Sequence, residues 1–208
     1  MGVTQIATRW AGLVNAVAGV CVAVAYVLHP HHGSPAVISG SFWFWVHLLF
    51  AISLIGGIFG TVGIFAHHSP HARWSGLIGM VLVVTALTLI FGLNYWEALI
   101  NPVVAVEAPA FVDAYGAGEA IGFVAVVFPA TGAMFVIGYL LLCLDIARAR
   151  TLTRGSAWLT VFGVLVFGAG LSGFLPMLVV QIGSVVFGAG LVWLGLSLWG
   201  TGYEAGTT

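Results

Sequence analysis

Charge is what this sequence has least of. Five arginines and six carboxylates are all the formal charge in 208 residues, and lysine is missing altogether. A net charge of −1 and a pI near 6.6, with no basic cluster beyond three arginines, exclude nucleic acid as a partner. Cysteine is nearly as scarce. Cys21 lies deep in the first apolar run and Cys143 near the end of the fourth, so neither belongs to a disulfide framework and neither reports a redox compartment. No His-Glu-x-x-His, Cys-x-x-Cys or glycine-rich nucleotide motif occurs, so no motif states a reaction or decides whether the chain is an enzyme.

What remains is hydrocarbon. The chain is 61% hydrophobic with a mean hydropathy of +1.15, far outside the soluble globular range. Its long apolar runs match bilayer thickness, which takes about 20 helical residues. The reading is an all-α, polytopic transmembrane bundle of six spans in a single integral membrane domain, residues 1–208. The spans are expected near 10–28, 42–66, 74–96, 119–144, 157–176 and 181–199, with 97–118 an outer-face connection or a partly interfacial segment. The first run reaches full spanning length and ends in His29-Pro30, so it is expected to be a span and not a cleavable signal. Pro129 predicts a kink in the fourth.

The last apolar block, Ala157 to Trp199, would be about 65 Å long as one helix and must fold back on itself. It also repeats: Val-Leu-Val-Phe-Gly-Ala-Gly-Leu from Val164 recurs as Ser-Val-Val-Phe-Gly-Ala-Gly-Leu from Ser184. Local duplication and convergence on small-residue packing explain this equally well.

The few charges orient the bundle. Arg9, Arg73, Arg148, Arg150 and Arg154 all fall at loops of one side in a six-span chain. The positive-inside rule makes that side cytoplasmic, with both termini there and the protein in the cell (plasma) membrane. Trp10, Trp74, Trp158 and Trp199 mark the same boundary; Trp43, Trp45 and Trp96 mark the opposite one.

In lipid, small residues hold helices together. Gly56-x-x-x-Gly60, Gly118-x-x-x-Gly122, Ala169-x-x-x-Gly173 and Ser184-x-x-x-Gly188 are the seams, either within one chain or between copies in a homo-oligomer. The partners are therefore the lipid bilayer and, through such seams, a second copy or another membrane protein.

Polar residues within spans are the candidates for chemistry. His47 lies one turn inside the second span and His29 closes the first at the same outer depth. Asn15 and Asn94 are intramembrane amides that need hydrogen-bond partners. Glu97 follows Asn94 on one face near the outer end of the third span.

Three readings follow. The first is a structural or assembly partner with no activity legible in the sequence. The second places a transition metal (zinc or copper) on His29, His47 and Glu97, with His31 or His32 as further ligands, or a b-type haem between His29 and His47, serving redox chemistry or hydrolysis of a lipid-like substrate. The third is a small-solute or proton-coupled carrier using Pro129, Asn94 and Glu97. The inner run His67-His68-Ser69-Pro70-His71 is expected to be a solvated turn, and Arg148, Arg150 and Arg154, with Asp145 nearby, an anchor touching anionic lipid.

Overall fold

The computed structural model describes residues 2–30, 33–116, 122 and 124–204. Among these the chain is all-helical: α1 (Val3–Leu28), α2 (Pro35–Ile38), α3 (Ser41–His68), α4 (Trp74–Tyr95), α5 (Asn101–Glu107), α6 (Pro109–Gly116), α7 (Val124–Ala149), α8 (Arg154–Leu171) and α9 (Met177–Glu204). Six stretches are long and apolar enough to cross a membrane: Gln5–Leu28, Ser41–His71, Trp74–Glu107, Val126–Ala149, Arg154–Leu171 and Met177–Thr201. The expected start of the fourth span at Glu119 and the Gly118 seam lie outside the described residues, as do His31 and His32.

Local chemistry sets the breaks. α1 stops where Pro30 forces His29 into extended backbone, at φ −61° and ψ 127°. Between α8 and α9 the chain reverses through Gly173, whose φ of +79° is open to glycine at little cost, and α9 begins right after Pro176, ahead of the expected 181. The segment 97–118 is helical over most of its described length. A π-helical turn, Trp96–Ile100, carries α4 into α5. It falls immediately before Asn101-Pro102, where the proline ring crowds the carbonyl four residues back and a wider turn relieves the clash.

The six long helices form a closed ring. Each packs on the next long helix in the chain, and α9 returns to pack on α1. Trp10 meets Trp199 edge-on at 5.8 Å between ring centroids, and the Arg9 guanidinium lies 4.5 Å from the Trp199 ring centroid. The beginning of α1 and the end of α9 therefore share one end of the bundle. The axis is filled by aromatic rings from five helices. Tyr26 packs on Phe50 and Phe167, and Phe167 on Phe135 and Phe187, with Tyr139 closing the set, at centroid separations of 4.7 to 6.0 Å. At the arginine-free end, α2, α5 and α6 add a small second core of Ile38, Trp43, Ala105 and Val112.

Gly56, Gly60 and Gly188 of the expected seams make contacts within the chain, whereas Gly173 lies at the turn with nothing against it. A side chain at Gly56 would run into Val14 and Ala18 of α1, and one at Gly60 into Asn15. The repeat in the last block has a packing explanation. A Cβ at Gly163 would strike the backbone of Phe187, and one at Gly183 the backbone of Phe167. Likewise Gly170 faces Val180, while Gly190 faces Thr160. Each contact maps onto its mate by the 20-residue shift, so α8 and α9 meet through a local two-fold in which each copy supplies the gap its partner fills. Phe167 and Phe187, equivalent in the two copies, stack at 5.9 Å across this interface.

Reciprocity makes a quantitative prediction. Gly163→Val and Gly183→Val should each destabilise the folded protein by about 1–3 kcal/mol through overpacking. The two losses should be similar, read as falls in melting temperature of detergent-solubilised protein. A large loss at one position and none at the other would show that the interface is not reciprocal.

Candidate functional site

Polar side chains collect at both ends of the ring. At the arginine-free end His29 finishes α1 and His47 projects from the second turn of α3, 4% exposed. Their ring centroids are 5.4 Å apart. Trp43 lies against both, at 4.4 Å from His47 and 5.2 Å from His29, and Phe50 touches both from the other side. His47 Nδ1 is 2.9 Å from the Trp43 carbonyl and His29 Nδ1 is 2.9 Å from the Pro30 carbonyl. A carbonyl only accepts, so each Nδ1 carries the proton and, in the neutral ring, Nε2 is the basic nitrogen.

The other residues picked out at this end stand beside the imidazoles but bond elsewhere. The Asn94 amide donates to the His47 carbonyl at 3.1 Å, and the Trp43 indole donates to the Glu97 carbonyl at 2.8 Å; these two bonds tie α4 and its extension to α3. The Glu97 carboxylate accepts from the Asn101 side-chain amide at 2.7 Å, one turn on within the extension. Asn15 is fully buried and donates to the Leu191 carbonyl at 2.8 Å, stapling α1 to α9.

This geometry bears on each proposed ligand. Two imidazoles are close enough to share an ion, yet among the described residues no three His, Cys, Asp or Glu side chains converge as a metal-binding group, so the Glu97 carboxylate does not complete a triad with them. A haem between His29 and His47 would need a porphyrin plane between the rings. They instead meet edge to face, with Trp43 and Phe50 closing the sides, and the residues present do not fit that group. Asn94 is buried and engaged, and the axis below is filled with aromatics, which weighs against a carrier path reaching it.

The arginine-bearing end holds a cluster that reading the chain as a sequence missed. His68 is not in a solvated turn. α3 runs to residue 68, and His68 is 0% exposed. Its Nε2 donates to Asp145 Oδ2 at 3.0 Å, which leaves Nδ1 to accept from the Thr151 hydroxyl at 2.8 Å. Asp145 Oδ2 also accepts the Arg73 backbone N–H at 2.8 Å, placing a carboxylate at the N-terminus of α4. Its Oδ1 accepts both Nε and Nη2 of Arg148, at 3.1 and 2.9 Å. His67 donates to the Thr151 carbonyl at 3.3 Å, while His71 is exposed as a turn residue should be. One buried carboxylate thus joins the end of α3, the start of α4, the end of α7 and, through His68, the loop before α8. Gly76 makes room, since a Cβ there would crowd Asp145 Oδ2. The available signal was periodicity: His68 lies four residues past Ile64 and seven past Thr61, on the buried stripe of α3.

The whole is a multi-pass, all-α membrane protein, a six-helix ring with an aromatic axis and a polar cluster at each end. No protein-family model, curated protein or solved structure matches the chain.

Removing a buried carboxylate leaves its partners uncompensated, so Asp145→Ala should cost about 3–5 kcal/mol of stability. Arg148 is substantially exposed, and Arg148→Ala should cost less than about 1 kcal/mol. Melting of the two variants in detergent checks the ranking; equal losses would mean that Arg148, not the His68 and backbone contacts, dominates the clamp.

Proposed function

We propose that this protein is a structural or assembly component of the cell membrane, its arginine-bearing end and both termini in the cytoplasm. One observation carries the reading. Polar side chains that could do chemistry are engaged in holding helices together, Asn15 on the Leu191 carbonyl, Asn94 on the His47 carbonyl and His68 on Asp145, while Glu97 and Arg148 are engaged within their own helical segments on Asn101 and Asp145. Groups so occupied position helices, and among the described residues no three His, Cys, Asp or Glu side chains converge on one point. The orientation is supported by the placement of all five arginines at one end.

A second reading has its own support. His29 and His47, 5.4 Å apart with each Nδ1 anchored on a backbone carbonyl, have the orienting contacts typical of metal-ligating imidazoles. They could hold a copper or zinc ion as two of its ligands, at ligand bonds of about 2 Å.

Cells depending on this protein separate the readings. In a structural component, His29→Ala and His47→Ala should reduce function only as far as they reduce folded protein in the membrane, measured by complementation against abundance. Loss of function at normal abundance, with loss of copper or zinc from the purified protein, would replace the first reading by the second. The orientation has a separate check. Cysteine introduced by Asp113→Cys should react with a membrane-impermeant maleimide in intact cells, and one introduced by Arg154→Cys only after permeabilisation; the reverse pattern would invert the topology.

A further inference from the structure

The clamp on Asp145 leaves one cation over. Arg148 holds the carboxylate with its guanidinium, but Arg73 gives it only a backbone N–H. Among the described residues the Arg73 guanidinium has no carboxylate partner. It stands exposed at the rim of an open groove of about 630 Å³ between the end of α3 and the start of α4. The groove grades from polar to apolar along the helix axes. Arg73, Ser75 and the Trp74 indole line it at the loop, whereas Phe65 and Leu77 line it one turn deeper into the two spans.

Charge at one end and hydrocarbon at the other is the chemistry of a membrane lipid. We propose that this groove holds an anionic glycerophospholipid, its phosphate at Arg73 and the first turn of α4 and an acyl chain along Phe65 and Leu77. Three features favour a lipid of net negative charge. Arg148 already neutralises the Asp145 carboxylate, so Arg73, with no carboxylate partner among the described residues, gives the rim a net positive charge. Asp145 accepts the Arg73 N–H, but the N-cap side chain makes no capping bond to the first turn of α4, whose N–H groups a phosphate could accept from. Trp74 is 78% exposed, at the helix boundary where indoles sit among headgroups. The apolar wall argues for a lipid over a free phosphate, which would gain nothing from Phe65 or Leu77.

The test is native mass spectrometry of the full chain, delipidated in detergent and offered phosphatidylglycerol and phosphatidylcholine of identical acyl chains. The wild type should retain one phosphatidylglycerol in preference to phosphatidylcholine by about five-fold or more, the effect of about one arginine near an anionic headgroup. Arg73→Gln keeps the backbone bond to Asp145 and Leu77→Trp fills the apolar wall while sparing the charge; each should bring the preference close to one. Arg9→Gln, in α1 and outside the groove, should leave it intact. Melting curves establish that each variant is folded. No preference in the wild type, a preference surviving both Arg73→Gln and Leu77→Trp, or an equal loss in Arg9→Gln would overturn the proposal.

Discussion

Helices already surrounded by hydrocarbon gain little by exchanging lipid for one another, so this bundle depends on contacts that lipid cannot make. It uses two kinds. Glycines let backbones approach until side chains of one helix rest on the main chain of the next, as at Gly60 under Asn15 and Gly163 under Phe187. Polar side chains then hydrogen-bond across the seams, as Ser53 does to the Ala18 carbonyl at 2.9 Å and Asn15 to the Leu191 carbonyl at 2.8 Å. Closing the ring from α9 back to α1 requires both, because that pair joins the two ends of the chain and no short loop assists it.

α3 shows how the two kinds divide along one helix. His47, Leu54, Thr61 and His68 are all buried and recur every seven residues. Gly56 and Gly60 face α1 on another side of the helix, and Gly57 faces Leu87 of α4. Close approach holds the middle, where an unpaired polar group would be most costly, and imidazoles finish the stripe at both ends. His47 works against the backbone of its own helix and receives α4 through Asn94; His68 receives α7 through Asp145.

Hydropathy made the six spans legible, because a lipid-facing helix has to be apolar on nearly every side. The pairing of His29 with His47 was within reach for a related reason: both stand at the arginine-free end of consecutive antiparallel spans, where depth alone brings them to one level. Glu97 was placed beside them on the same grounds but turns to Asn101 instead, and this choice depends on the π-helical turn, which no pattern of residue types announces. The Asp145 cluster was missed because its members come from two connections distant in sequence, the one after α3 and the one after α7, and because the turn around Ser69-Pro70 reads as if it included His68. Ending α3 two residues early moved a buried ring into solvent. In the last block the repeat was visible, but its meaning was not. Reciprocal packing of Gly163 on Phe187 and Gly183 on Phe167 is a relation between helices, and only the crossing shows it.

The two polar clusters are separated by a distance that carries functional weight. From His47 to His68 is 21 residues of continuous helix, about 31 Å at 1.5 Å per residue, close to the thickness of the hydrocarbon core at about 30 Å. Each imidazole therefore comes to the level of a headgroup layer, with the aromatic axis between them. Burial of His68 beneath Thr151 and of His47 beneath Trp43 shields both from bulk water. A molecule that reaches either cluster approaches through the interface, along the surface where lipid headgroups and the ends of neighbouring spans lie. Substrates that must diffuse from the aqueous phase to the bilayer midplane meet a mostly apolar axis, packed with Phe135, Phe167 and Phe187 beside Tyr26 and Tyr139. The same placement that makes the clusters good staples fits the ring to a lipid bilayer, whose headgroup layers meet both of its polar ends.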